Sequence, residues 1–168
     1  MVLTKPELIV SLQNEVRILL HLASKIDRSK LDYRPTPKQR STLELLKYLS
    51  MMGPTIVRYA LVDSPEMTIW TSAAEAAEGR DFDQTIAAIA AQSDDYAALL
   101  ATVADADLRA EIDGFGGPKT SRGAFLVNYV LCGCSAYRTQ LFLYLKACGQ
   151  EELNSSNLWE GADPSPTA

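Results

Sequence analysis

The stretch from Ser121 to Cys148 constrains the fold most strongly, because its apolar residues recur as on one long amphipathic helix. At helical spacing one line of residues is mostly apolar, and the opposite line is polar. The inward line contains Leu126, Val130, Gly133, Tyr137, Leu141, Tyr144 and Cys148, and the outward line contains Asn128, Ser135, Thr139 and Lys146. Gly149 follows, where helices often stop in a left-handed conformation that glycine tolerates. We therefore expect one long, half-buried helix.

Three earlier segments have the capping residues and the apolar spacing of helices. Thr4 can cap a first helix that runs to about residue 26, and Asp81 can cap a third helix. Ser41 and Glu44 have the spacing of a capping box, in which each side chain bonds the backbone amide of the other residue. The expected apolar stripe of the third helix is Phe82, Ile86, Ile89, Tyr96, Leu100 and Val103.

The connections are predicted from glycine and proline. Gly53 and Pro54 predict a bend or a break in the second helix, since proline removes one hydrogen bond of the helix. The segment 62–79 has no long periodic pattern and predicts a loop or a weak helical turn, anchored by Trp70. The glycines and the proline in 105–120 predict an irregular hairpin.

Four long helical patterns joined by connections of this length predict an all-α, four-helix bundle with long crossover connections. The chain of 168 residues is long enough to bury a full core, and we expect one domain over residues 1–168. After the fourth helix we expect a short C-terminal turn and a partly ordered tail over about 155–168. Trp159, within that tail, is expected to close one end of the bundle.

Composition excludes some function classes. The net charge of −5, without a basic cluster, removes the electrostatic attraction that supplies most nucleic-acid affinity, so we expect no nucleic-acid partner. No apolar run approaches the roughly 20 residues that cross a bilayer, so we expect no membrane contact and a cytoplasmic location. The three cysteines lie on one helix, in positions that do not suit a disulfide, and are expected to be reduced thiols.

Two segments, YRPTPKQRSTLELLKYL at 33–49 and AYRTQLFLYLKACG at 136–149, resemble the DinB/YfiT-like superfamily, and the similarity spans nearly the whole chain. The resemblance implies a bundle in which three histidines bind a divalent metal. One histidine lies in an LLxHL setting on the second helix, and two lie in an HxxxHRGQL motif on the last long helix. It also implies thiol-dependent transferase or isomerase chemistry. The residues that match are Arg138, Gln140 and Leu141, together with Leu45, Leu46 and Leu49.

The three metal-binding positions of that superfamily correspond to Tyr48, Gly133 and Tyr137. Glycine has no side-chain donor, and a phenol with a pKa near 10 binds Zn²⁺ or Ni²⁺ poorly at neutral pH. We therefore expect no metal cofactor. We interpret Cys132 and Cys134 as structural thiols rather than as replacement ligands.

Two classes of function follow. The first is a metal-free member that binds a small molecule or a partner. Tyr48, Tyr137 and Tyr144 would then line the former metal cavity, Gly133 would leave space, and Arg138 would orient an anionic group at its edge. Two alternatives for this class are a tyrosine pair that fills the hole and a protein that acts only through its surface.

The second class is an S-transferase or isomerase that uses bacillithiol, mycothiol or glutathione, with or without a divalent metal. Its unrecognised ligands would be residues such as Cys134 or His21, although His21 alone is interpreted as a surface histidine. Independently, the apolar strip of Leu131, Cys132 and Phe142 predicts a homodimer, unless the segment 62–79 with Trp70 covers the strip instead.

Overall fold

Four long helices form the bundle in the computed structural model, which describes residues 3–62, 66–115 and 117–164. The fourth long helix consists of two segments, α6 and α7, joined by a π-helical turn at Val127–Leu131. The elements are α1 (Lys5–Ala23), α2 (Thr42–Leu61), α3 (Thr68–Glu78), α4 (Phe82–Leu100), α5 (Asp105–Arg109), β1 (Glu111–Ile112), β2 (Thr120–Ser121), α6 (Arg122–Leu126) and α7 (Cys132–Ala147). A 3₁₀ turn at Arg28–Lys30 and a π-helical turn at Ser156–Glu160 complete the described chain. The predicted all-α, four-helix bundle is confirmed.

Side-chain caps fix where the long helices begin. Thr4, Ser41 and Asp81 each accept a hydrogen bond from the backbone amide three residues later, as their sequence spacing predicts. The Ser41 amide in turn donates to the Glu44 carboxylate at 2.6 Å. At the other end of the bundle, Gly149 follows α7 with φ +102°, the left-handed conformation expected of a glycine stop.

The core lies where α4 packs along both α1 and α2, and where α6, the π turn and α7 pack against α2. Its largest fully buried side chains are Leu12, Ile18, Leu22, Leu45, Leu46, Leu49, Met52, Ile89, Tyr96, Leu100, Phe125 and Leu126. All residues of the predicted stripe of α4 belong to the core or pack against it, although Phe82 and Ile86 are only half-buried. The polar residues Thr85 and Gln92 are buried as well, because each has an internal hydrogen-bond partner.

The second helix continues through Gly53 and Pro54 as one element, so the division that this pair allowed does not occur. Residues 51–57 are all buried, and the packing around them offsets the one hydrogen bond that proline removes. Before the proline, the carbonyl of Leu49 accepts a hydrogen bond at 2.8 Å from the side-chain nitrogen of Gln92, on α4.

The prediction of a loop or weak turn over 62–79 was wrong for most of that segment, because α3 forms an 11-residue helix. Its alanines favour a helix by intrinsic propensity, even though they give no clear apolar period. Trp70 anchors α3 to α2 by packing on Tyr48, with ring centroids 6.0 Å apart. The side chain of Lys47, on α2, donates a hydrogen bond at 2.6 Å to the carbonyl of Glu78, the last residue of α3. Residues 63–65 lie outside the described part of the chain.

The predicted hairpin in 105–120 is present as α5 followed by the antiparallel pair β1 and β2. Glu111 pairs with Ser121, and Ile112 pairs with Thr120. Buried Arg122 joins the hairpin to α2, since its Nε donates to the Ala60 carbonyl at 2.6 Å. Gly116, within the predicted turn, lies outside the described residues.

The C-terminal segment packs on α1, so the described part of the predicted tail is placed rather than frayed. Arg17 donates to the carbonyls of Glu160 and Gly161, and Lys25 pairs with Asp163 at 2.7 Å. Trp159 is 63% exposed and does not close an end of the bundle. Residues 165–168 are not among those described.

The apolar strip of Leu131, Cys132 and Phe142 is not covered by α3, because Trp70 packs against Tyr48 on another side of the bundle. Leu131 and Cys132 instead face a shallow cleft between α1 and α7 that Trp159 borders. A homodimer through this strip stays a prediction. Across the described residues, the longest apolar helices fall short of what crossing a bilayer requires.

Candidate ligand pocket

A cavity of about 410 Å³ lies between α2, α3, the hairpin and the start of the fourth long helix. Its walls are mostly aromatic and sulfur-containing, and the described residues that line it include no aspartate, glutamate, lysine, arginine or histidine. The lining residues are Tyr48, Met52, Thr55, Ile56, Tyr59, Met67, Trp70, Phe115, Asn128, Tyr129, Gly133 and Tyr137. The volume lies within the range of small-molecule sites.

Three of the predicted site residues, Tyr48, Gly133 and Tyr137, lie together on one wall of this cavity. The rings of Tyr48 and Tyr137 are 5.0 Å apart between centroids and inclined by 64°. A Cβ added at Gly133 would lie 3.5 Å from the methyl carbon of Met52, which is ordinary van der Waals contact. The tyrosine pair therefore forms a wall and does not fill the space beside Gly133.

The π-helical turn brings Asn128 into this wall, although the sequence predicted it on the outward line. In a regular α-helix Asn128 and Gly133, five residues apart, would point in clearly different directions. A π-helical turn takes up one extra residue compared with an α-helical turn, so it changes the relative direction of the side chains on either side of it. Asn128, Gly133 and Tyr137 thus all border the cavity, and Asn128 also remains exposed, as its place on the outward line predicts.

The predicted role of Arg138 at the pocket edge was wrong. Arg138 is buried between α7 and α1, where its Nη1 lies 3.2 Å from the Glu15 carboxylate and its Nη2 donates to Ser135. The ring of Trp159 lies 5.4 Å from its guanidinium carbon. Arg138 follows Tyr137 directly, so the helical turn of about 100° per residue carries its side chain away from the cavity.

Tyr144 also lies outside the cavity, two turns beyond Tyr137. Its hydroxyl donates to the carbonyl of Arg40 at 3.0 Å and accepts a hydrogen bond from Gln140. Its ring packs edge-on against Tyr33 with centroids 5.5 Å apart. Tyr144 therefore holds the chain just before α2. The sequence analysis did not single out Arg40. Its guanidinium carbon lies 4.1 Å from the centre of the Tyr48 ring.

An aromatic cluster at the mouth of the cavity was also missed from the sequence. Tyr59, Phe115 and Tyr129 line the cavity, and Phe125 packs behind them. The centroid of the Phe125 ring lies 4.7 Å from that of Tyr129 and 5.0 Å from that of Phe115. Phe115 and Tyr129 remain 44% and 41% exposed. The signal for this cluster was the placement of Phe115 in a glycine-rich hairpin that folds back onto α2.

Burial determines the protonation state of the polar wall. The pKa of Tyr48 is raised above its usual 10.0, first by burial and then by the neighbouring Tyr137 hydroxyl. The Tyr48 hydroxyl is therefore neutral at physiological pH and can both donate and accept a hydrogen bond. Thr55 and Asn128 add further neutral donors and acceptors.

This donor set does not fit a divalent metal. A tyrosine binds such an ion as phenolate, and the raised pKa of Tyr48 opposes that form, while Gly133 offers no donor. Burial raises the pKa of the Cys134 thiol to about 12, which opposes the thiolate as well. His21 lies elsewhere, on α1 beside Asn157. In the described parts of the chain, no three histidine, cysteine, aspartate or glutamate side chains are grouped to hold a metal.

Comparison with known proteins identifies the fold. The crystal structure of a DinB-like protein, YjoA from Bacillus subtilis, superposes with a TM-score of 0.67. The two sequences are 18% identical, and the match covers 88% of this chain and 94% of the other. No protein-family model and no curated protein matches the sequence. The fold implied by the segments at 33–49 and 136–149 is thereby confirmed, and the chain has a DinB-like fold.

Proposed function

We propose that the protein binds a small, largely apolar molecule in the cavity beside Gly133, without a resident metal. The observation that supports this proposal is the cavity itself, about 410 Å³ with aromatic and methionine walls and without a charged lining residue in the described chain. Binding sites for small molecules typically combine such walls with a few polar groups that orient the ligand. Methionine side chains adapt to ligands of differing shape.

The polar groups define how a ligand is oriented. Tyr48, Thr55 and Asn128 present two hydroxyls and one amide to the cavity, and each can donate and accept. The side-chain amide of Asn128 has no hydrogen-bond partner within the residues that the structure describes. It is therefore free to bond a ligand hydroxyl or carbonyl.

No observation favours the thiol-dependent transferase. That chemistry needs a group that promotes thiolate formation, and the described lining residues include no histidine, carboxylate or basic side chain, while the nearby Arg40 lies over the Tyr48 ring and does not line the cavity. The raised pKa of Tyr48 keeps its phenol protonated, so it cannot accept a thiol proton at neutral pH. The thiol of Cys134 is itself buried and lies beside Tyr96, behind the cavity wall.

Methionine methyl groups offer a direct test. Of the four methionines in the sequence, Met52 and Met67 line the cavity and Met51 does not, so in methyl-¹³C methionine labelling the signals of Met52 and Met67 report on this site. We expect 2-(2-naphthyl)ethanol, an uncharged bicyclic probe, to shift the signals of Met52 and Met67 in a saturable manner. Binding that leaves both signals unchanged would contradict the proposal.

A matched pair of variants makes the test specific. Gly133→Leu places a side chain in the cavity and is expected to weaken binding of the probe by about tenfold or more. Ala136→Leu introduces the same side chain on the exposed side of α7 and is expected to leave the affinity unchanged. Equal affinities for both variants would show that the probe binds elsewhere.

A further inference from the structure

Arg40 brings a positive charge to the border of the apolar cavity. Its guanidinium carbon lies 4.1 Å from the centre of the Tyr48 ring, a cation–π contact. A second cavity of about 300 Å³ lies on that side and is lined by Arg40. Tyr48 and Trp70 line both cavities, so this pair of rings is the partition between an uncharged space and a charged one.

The other charged residues of the second cavity are already paired. The Glu44 carboxylate accepts a hydrogen bond from the Ser41 backbone amide at 2.6 Å and forms an ion pair with the Arg34 guanidinium at 3.2 Å. Lys47 donates to the carbonyl of Glu78 and lies 3.9 Å from its carboxylate. For Arg40, by contrast, no carboxylate of the described chain lies within ion-pair distance. The unbalanced charge beside the partition is therefore positive.

The backbone of Arg40 is fixed from behind. The buried Tyr144 donates to the Arg40 carbonyl at 3.0 Å, and Gln140 donates to Tyr144. Ser41, the next residue, is held in the capping box of α2. The starting point of the Arg40 side chain is thus set by α7 and α2 together, even though the residue belongs to a connection.

We propose that the ligand is an amphiphilic carboxylate, whose apolar body enters the cavity beside Gly133 and whose carboxylate meets the guanidinium of Arg40 across Tyr48 and Trp70. This inference rests on the proposed function and specifies its ligand class. Arginine binds a carboxylate through two parallel hydrogen bonds, which an alcohol of the same shape cannot form. Arg40 thus has the role that the sequence assigned to Arg138.

Two isosteric probes test the charge. 2-Naphthylacetate and 2-(2-naphthyl)ethanol share one ring system and differ in a carboxylate against a hydroxymethyl group. We expect the carboxylate to bind about five- to tenfold more tightly at low ionic strength, and the difference to shrink in about 0.5 M salt. Only the carboxylate is expected to shift the signal of Met51, which lines the second cavity.

Variants assign the preference to Arg40. Arg40→Gln is expected to abolish the preference for the carboxylate and to leave the affinity for the alcohol unchanged. Lys38→Gln removes the same charge from an exposed position of the same connection, and is expected to retain the preference. If both variants lose it equally, the preference reflects general charge and the inference about Arg40 is wrong.

The outcomes separate the two proposals. If the alcohol shifts Met52 and Met67 while the carboxylate binds no more tightly, the carboxylate inference is overturned and the apolar pocket stands. If neither probe shifts these signals, the pocket proposal fails and the carboxylate inference fails with it. A carboxylate probe that shifts the signal of Met51 alone, and not those of Met52 and Met67, would also overturn the proposal that one ligand occupies both cavities.

Discussion

The hydroxyl of Tyr96 lies directly over Gly53, in the space that a side chain at position 53 would need. This close approach joins α4 to α2 at the point where Pro54 interrupts the hydrogen bonding of α2. A Cβ added at Gly133, on α7, would contact only the flexible end of the Met52 side chain. The two glycines therefore differ in what surrounds them, although both lie within long helices.

That difference predicts opposite responses to alanine. Gly53→Ala is expected to lower the free energy of unfolding by about 1–3 kcal/mol, because the new methyl group overlaps the Tyr96 hydroxyl. Gly133→Ala is expected to be neutral or to stabilise by up to about 1 kcal/mol, since alanine favours the helix. Urea unfolding of both variants measures the contrast. A Gly53→Ala protein as stable as the natural chain would contradict this packing.

The buried amide of Gln92 links two elements. Its Nε2 donates to the Leu49 carbonyl at 2.8 Å, and its Oε1 accepts from Tyr96 at 3.2 Å. Gln92→Leu is expected to cost about 1–3 kcal/mol, since it leaves the Tyr96 hydroxyl without this acceptor. Adding Tyr96→Phe to that variant should cost little more, because the unpaired group is then removed. Additive losses in the double variant would show that the two side chains act independently.

The pair of Glu15 and Arg138 is the buried ion pair between α1 and α7, with side chains only 12% and 3% exposed. Burial raises the pKa of Glu15, and the charge of Arg138 opposes that rise. Arg138→Met is expected to cost about 3 kcal/mol, because it leaves a buried carboxylate without its partner. Glu15→Leu combined with Arg138→Met should recover most of that loss. Chemical denaturation at pH 7 of Arg138→Met, of Glu15→Leu alone and of the double variant tests this cycle.

His21 makes the attachment of the C-terminal segment dependent on pH. Its Nε2 lies 3.1 Å from the side-chain nitrogen of Asn157, whose Oδ1 accepts from the Asn154 amide. The nitrogen of Asn157 also donates to Asp163 at 3.0 Å, so Nε2 of His21 must accept and carry no proton. Burial and the nearby Lys25 lower the pKa of His21 from its usual 6.5, while Asp163 opposes this shift.

A histidine with a lowered pKa binds its proton more weakly in the folded state, so stability is retained above pH 6.5 and declines as the pH falls from that value towards the lower pKa of the folded state. His21→Gln keeps an acceptor towards Asn157 but does not titrate. We expect the natural chain to lose more stability than this variant between pH 7.5 and about 5.5. Hydrogen exchange at 156–164 measures the local effect. Equal losses in both proteins would exclude His21 as the cause.

The long helices were predictable because their signals are local. The N-caps at Ser41 and Asp81 depend only on nearby residues, and the structure agrees with them. The apolar line along 121–148 predicted the fourth long helix, although a π-helical turn interrupts its regular period. The helix α3 was missed because its alanines show propensity without periodicity. Propensity summed over the segment, rather than a search for an apolar line, would have indicated it.

The site was predictable only in part, for a different reason. Tyr48, Gly133 and Tyr137 were located by likeness to a known motif, and they do lie together at the cavity. Arg40 was missed because it lies in the connection before α2, where no helical spacing relates it to Tyr48. Its carbonyl accepts a hydrogen bond from Tyr144, more than 100 residues later in the chain, and such distant contacts leave no regular spacing in a single sequence.

The π-helical turn at Val127–Leu131 changes the rotation of side chains about the axis of the fourth long helix. It holds one residue more per turn than the α-helix around it, so all that precedes it is rotated relative to all that follows. Removal of one residue there would restore a regular helix and turn Asn128 away from Gly133, while the packing of α7 on α1 and α2 stayed in place. Gain or loss of a single codon at this point is thus a way to exchange the polar lining of the pocket without rebuilding the bundle.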